Sequence, residues 1–120
     1  MSRKKHNYKN LKIWNYGLEI ALEMSDILVA FPKHERYDLV SQMSRCSISI
    51  PSNIAEGSAR TNKSFSHFLD ISIGSSYELS TQLCIAKHKK YITDITFEKI
   101  ENKISEWQMM VSSFQKSLFD

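Results

Sequence analysis

The sequence predicts an all-α protein, an antiparallel up-down-up-down four-helix bundle whose second helix is kinked by a proline. Three observations predict it. Apolar residues recur at alternating spacings of three and four along four long segments. Glycines number only three and the connections between those segments are short, which favours antiparallel neighbours. No strand alternation is sustained: the best candidate is Ile48-Ser49-Ile50, and Pro51 beside it argues against a central strand.

Helix one is predicted over residues 11–31 from Ile13, Gly17, Ile20, Met24, Ile27 and Phe31, with Pro32 as its stop. A second row, Trp14, Leu18, Ala21, Leu22 and Leu28, brings the apolar or aromatic residues to 14 of 21. One core-facing stripe needs fewer, so a second buried surface is expected. Helix two runs from about Glu35 to Gly57 through Leu39, Val40, Met43, Cys46, Ile50 and Ile54. Pro51 has no N–H and its ring crowds the carbonyl of Ser47, a cost of about 3 kcal/mol unless packing compensates. The apolar positions continue on both sides of Pro51, so one kinked helix is predicted, ended by Gly57 through its tolerance of a left-handed backbone. Helix three spans about Lys63 to Lys90, capped by Asn62 or Thr61, with Phe65, Phe68, Leu69, Ser72, Leu79, Leu83 and Ala86 inward. After a turn at 91–95, Asp94 or Thr96 caps the last helix, whose inward row is Ile100, Ile104, Trp107, Val111, Phe114 and Leu118.

With 120 residues, 42% hydrophobic and 24% charged, the chain makes one domain over residues 11–120, preceded by a flexible basic arm at 1–10. No apolar run is long enough for a membrane span or a signal peptide, so a cytoplasmic location is expected. Cys46 and Cys84 read as reduced, buried small hydrophobes. His6, His34, His67 and His88 form no helical ligand pairs, so neither a metal nor a cofactor is expected.

Polar residues also fall near the inward faces of helices two and three: Arg45, Asn53, Glu56, Glu78 and Gln82. Buried, they must pair, with the free Ser47 carbonyl as one acceptor, and a network that fixes helix register is the expected role. If the chain reverses near residue 60, antiparallel partners have numbers summing to about 120, which sets Arg45 near Ser75 and within reach of Glu78. The same level argument separates Glu56 from Glu78 by about four turns and finds no histidine beside a serine, so no enzyme is expected. Gly74-Ser75-Ser76, opposite Ser47, Ser49, Ser52 and Asn53, reads as tight helix packing, and Trp14 and Trp107 as core or interface anchors.

The net charge of +3 is unevenly spread. Arg3, Lys4, Lys5, Lys9 and Lys12 give residues 1–12 a charge of +5 with no acid, and the remainder sums to 11 minus 13, or −2. In an up-down bundle the arm and Lys12 share an end with Arg60, Lys63 and His67. The opposite end gathers Lys33, His34, Arg36, Lys87, His88, Lys89 and Lys90 from two turns. Basic caps on a slightly acidic body suit phosphate contacts read by charge rather than by base. The expected nucleic-acid contacts are Arg3, Lys4, Lys5, Lys9, Lys12, Arg45, Arg60, Lys63, Lys87, Lys89 and Lys90.

Specific residues add a resemblance. Leu11-Lys12-Ile13-Trp14, Phe31-Pro32, Glu35, Gln42, Ser49-Ile50-Pro51-Ser52-Asn53-Ile54-Ala55-Glu56-Gly57, Arg60, Phe68-Leu69, Gly74-Ser75, Glu78-Leu79, Thr81-Gln82-Leu83 and Ile85-Ala86 stand in one order over about residues 10–92. That pattern resembles the four-helix bundle family encoded in bacterial 23S ribosomal RNA intervening sequences, with Pro51, Asn53, Glu56, Gly57, Gly74 and Glu78 as structural motif residues. The family is in turn similar to the accessory variability determinant of diversity-generating retroelements, a basic homopentamer that partners a reverse transcriptase and binds nucleic acid. The resemblance implies a homopentamer without enzymatic activity. Two positions depart from the family pattern: Ser44-Arg45-Cys46 where a pair of arginines is usual before a small residue, and Ser72 where alanine is usual. The leading expectation is a non-enzymatic, oligomeric protein that binds nucleic acid, RNA ahead of DNA, through its phosphates and with low sequence specificity. The alternative is a protein-interaction adaptor, such as an accessory factor for a retroelement reverse transcriptase.

Overall fold

The computed structural model describes residues 6–120 and holds four helices, α1 (Lys12–Leu28), α2 (Leu39–Gly57), α3 (Asn62–His88) and α4 (Asp94–Ser117), with no strand among the described residues. They form a rod of 53 × 24 × 20 Å. Each helix lies beside its chain neighbours, α1 and α4 close the ring, and the diagonal pairs stand apart. Side-chain bonds give the directions. Cys46–Glu78 and Ser49–Ser75 cross between α2 and α3, Tyr16–Glu106 between α1 and α4, and Gln108–Ser76 and Gln115–Ser66 between α3 and α4, each antiparallel. The α2–α3 partners sum to 124, four residues beyond the level expected from the sequence.

The inward rows are the ones the spacing marks. Ile20, Met24, Met43, Ile50, Ile54, Phe65, Leu69, Leu79, Leu83, Trp107 and Val111 are all fully buried. Each large aliphatic or aromatic side chain so placed contributes about 1.5–3 kcal/mol over its exposed state. The Trp107 indole N–H donates to the Ile13 carbonyl at 2.9 Å, and a Cβ on Gly17 would lie 3.2 Å from that same indole nitrogen. Gly17 is thus the space in α1 that admits the tryptophan of α4.

Helix ends moved most from expectation. Helix α1 stops at Leu28, yet Phe31 beyond it is buried. Helix α2 begins at Leu39 rather than near Glu35, because Lys33–Glu35 form a separate 3₁₀ turn after Pro32. Thr61 caps α3, accepting from the Ser64 amide at 3.3 Å. Thr93, neither Asp94 nor Thr96, caps α4 by accepting from the Thr96 amide at 3.1 Å. Its extended backbone aims the hydroxyl at the third amide of the helix, the geometry a cap requires.

Helix α2 continues through the buried Pro51. Among the described residues no side chain bonds to the Ser47 carbonyl; the hydroxyls and amide of the segment bond to neighbouring carbonyls instead. Ser47 donates to the Met43 carbonyl at 2.7 Å, Asn53 to the Ser49 carbonyl at 2.9 Å, and Ser72 of α3 to the Ile50 carbonyl at 2.6 Å. Each is worth about 1 kcal/mol net, which offsets part of the cost of proline in a helix.

Gly57 is not left-handed: no glycine has a positive φ. A Cβ there would lie 2.7 Å from Phe68 Cβ and 2.8 Å from Phe65 Cδ1, so the residue is small for steric reasons. Cys84 is exposed, a correction to its expected burial, because it falls in the outward arc between Leu83 and Ala86. Arg45, Glu56 and Glu78 are exposed too, since Ser49, Asn53, Ser75 and Gln82 occupy the narrow α2–α3 seam inside them. No bond joins Arg45 to Glu78 among the described residues; Glu78 accepts from the Cys46 thiol at 3.5 Å.

Candidate nucleic-acid interface

The connections place the cations at the two ends of the rod. At one end His6 donates its amide to the Ser58 carbonyl at 3.3 Å and sets its ring 5.3 Å from Phe65 and 5.8 Å from Phe114. His6, where the described part of the basic arm begins, therefore lies against the α2–α3 turn, and residues 8–10 pack on α1 and α2; at the same end Asn62 of α3 reaches the Leu118 carbonyl. Lys9, Lys12 and Lys63 are exposed here. Arg60 is partly engaged: it pairs with Glu56 at 3.4 Å and stacks 4.8 Å over Phe68. Arg3, Lys4 and Lys5 lie outside the described residues. Arg45 belongs to neither end, standing on the side of the rod in the first half of α2.

The far end is organised by a residue that the sequence reading passed over as a site residue. Glu35 has a side chain only 4% exposed, beneath the α3–α4 turn. It accepts from the Tyr91 hydroxyl at 2.8 Å and from Lys89 Nζ at 3.2 Å, with His34 Nε2 3.2 Å from the same Tyr91 hydroxyl. The Tyr91 and Lys89 hydrogen bonds hold the Glu35 carboxyl below the usual carboxylate range, and Glu35 in turn raises both Lys89 and Tyr91. The available signal was an isolated acid inside the basic run Lys33-His34-Glu35-Arg36, next to a proline.

Lysines at this end fall into two groups. Lys89 is spent on Glu35, and Lys87 lies 4.0 Å from Asp94 and 4.5 Å over the Phe97 ring. Lys33, Arg36 and Lys90 are exposed with no ion pair among the described residues. The ends are thus less positive than the residue count suggests.

The remaining seams are structural. Between α1 and α4, Tyr16 donates to Glu106 at 2.9 Å and Lys103 binds Glu23. Burial, aided by the Glu106 bond and by nearby acids, pushes the Tyr16 hydroxyl up to about 12. Burial pushes Glu101 up on α4 and, with Glu78 close by, the Cys46 thiol as well. A raised thiol is a poor nucleophile. Among the described residues no group of histidine, cysteine or carboxylates is arranged to hold a metal.

Between α1 and α2 runs an apolar groove of about 450 Å³, lined by Trp14, Leu18, Leu22, Ile48 and Pro51 among others. Leu22 and Ile48 are each 57% exposed. It is formed by the second row of α1, the row that exceeds what the bundle core uses. Among the described residues no helix is long and apolar enough to cross a membrane.

With a proline-bearing α2, a steric Gly57 and cationic ends in place, comparison with known proteins becomes informative. The sequence model of the 23S rRNA-intervening sequence protein family matches residues 9–113. The chain belongs to that family. In the solved structures, a crystal structure of a protein with unknown function from the S23 ribosomal protein family of Bacteroides thetaiotaomicron matches with a TM-score of 0.79. At 24% identity, over 87% of this chain and 95% of the other, that likeness shows the four-helix fold of this 23S rRNA-intervening sequence family member and no more. No curated protein matches the chain.

Proposed function

We propose that this protein is a non-enzymatic, oligomeric nucleic-acid-binding bundle that works in the cytoplasm and holds RNA by its phosphates with low sequence specificity. The observation that carries the reading is the gathering of cations from separate turns at both ends of a rod whose body is faintly acidic. Cations spread along one face would favour a lengthwise strand; cations at the ends favour contacts by several copies on one nucleic acid. The α1–α2 groove supplies the seat for a second copy. Its occupant needs an apolar surface, and the unused row of α1 repeats in every copy. A copy number of five is what the family resemblance suggests.

The test is binding of a labelled single-stranded RNA of about 20 nucleotides, followed by fluorescence anisotropy as salt rises. Affinity falling steeply between 50 and 200 mM salt supports phosphate contacts, with each lost contact flattening the logarithmic slope by about 0.7. Affinity indifferent to salt, or none, overturns the reading. Sedimentation decides the assembly: the expected mass is about five times 13.9 kDa, and L22E or I48E lowers it. A monomer whose groove variants behave as the parent favours the adaptor reading instead.

A further inference from the structure

Lys90 is the one non-glycine residue with a positive φ, 64°, among the described residues. It follows the end of α3, where the Tyr91 amide donates to the Ala86 carbonyl at 2.9 Å and the Lys90 amide to the Lys87 carbonyl at 3.0 Å. These two bonds close the helix in the manner that normally calls for glycine, because a left-handed backbone presses Cβ against the next carbonyl. The strain is therefore intrinsic to the side chain. The two closing bonds repay the backbone, and the side chain is left over: Lys90 is exposed and its ammonium has no hydrogen bond, ion pair or aromatic face among the described residues.

Its neighbours differ. Lys87 and Lys89 are held by Asp94 and Glu35 and lie over Phe97 and Tyr91. The Glu35 bonds also bring the Lys33–Glu35 turn against the α3–α4 turn, so Lys33, Arg36 and Lys90 stand at the same end of the rod. Lys90 borders a hollow of about 660 Å³ that His88 and Thr93 also line.

We propose that Lys90 is the side chain that engages a phosphodiester at this end of the rod, where Lys33 and Arg36 are also unpaired among the described residues, and that Lys87 and Lys89 serve the fold instead. A cation with no partner inside the chain is free to meet a phosphate outside it. This assignment rests on the nucleic-acid reading above; of the three contacts expected at this end it keeps Lys90, sets Lys87 and Lys89 aside, and adds Lys33 and Arg36.

The experiment compares the parent protein with K90G, K90N, K87Q and K89Q, using the same 20-nucleotide RNA and a thermal melt of each variant. Asparagine tolerates the left-handed backbone without the charge, so K90N controls for backbone freedom. K90G is expected to melt higher than the parent, and both Lys90 variants to bind several-fold more weakly, with a salt slope shallower by about 0.7 for each copy in contact. K87Q and K89Q are expected to melt lower while keeping the parent's salt slope. Parent-like affinity and slope in K90G and K90N, with the parent binding RNA, overturn the assignment of Lys90 alone. A parent protein that binds no RNA overturns the nucleic-acid reading beneath it.

Discussion

Replacing Gly57 by alanine puts the packing of the α2–α3 turn to a direct test. The added Cβ would lie 2.7 Å from Phe68 Cβ, 2.8 Å from Phe65 Cδ1 and 3.3 Å from Phe68 Cγ. Ordinary contact begins near 3.4 Å, so the shortfall is 0.6–0.7 Å at two atoms. Phe68 Cβ is fixed to its backbone and Phe65 is fully buried, so relief requires the end of α2 to move away from the start of α3. Overpacking of this kind costs about 1–3 kcal/mol, against which alanine's helix propensity returns at most about 1 kcal/mol. A net loss of about 1–2 kcal/mol lowers the melting temperature of a chain this size by about 4–8 °C. Gly74 is the control. Nothing lies within 4 Å of a Cβ built there, so G74A gains the propensity without the clash and melts about 4 °C higher. Scanning calorimetry of the two variants decides. Equal shifts of the same sign would mean that propensity alone governs both glycines, and the steric account of Gly57 would fail.

Two further outcomes follow from single side chains. Glu35 has its folded pKa below its unfolded value, so the stability it contributes is present above the unfolded carboxylate pKa and lost as pH falls through the folded one. E35Q and Y91F should therefore melt well below the parent at pH 7, with the E35Q gap closing toward pH 3; a gap constant across that range would show that the carboxylate charge is not what Tyr91 and Lys89 hold. Ser72 donates to the Ile50 carbonyl at 2.6 Å from a fully buried position, so S72A should cost about 1–2 kcal/mol in urea denaturation, and a neutral result would remove that bond from the support of the Pro51 segment.

The helices were legible because burial imposes a period. Ile13, Ile20 and Met24 on α1 and Ile100, Ile104, Trp107 and Val111 on α4 could be picked out by spacing, and all are buried. Caps were legible only to within one to three residues, since Thr93, Asp94 and Thr96 all suit a helix start and only backbone geometry selects among them. Gly57 shows a deeper limit. Its position at a helix end fits a conformational role, but its smallness answers to Phe65 and Phe68, eight and eleven residues later, and a contact between helices leaves no periodic mark. Ser72 is the converse case: a polar residue in an inward row becomes intelligible once its hydroxyl is seen on the Ile50 carbonyl, next to Pro51.

The cationic ends were legible as composition, but not which of their cations are paired. A lysine at a helix end completes the fold when a carboxylate reaches it and stays available to a ligand when none does, and the two cases look alike in sequence. Glu35 decides which is which. By taking Lys89, and by tying its own turn to Tyr91, it removes one cation from the end of the rod and fixes the backbone on which Lys33, Arg36 and Lys90 are displayed. A buried acid within a basic run therefore need not oppose phosphate binding. It can hold the scaffold still, so that the remaining cations meet a phosphate chain without first losing the freedom of a mobile loop.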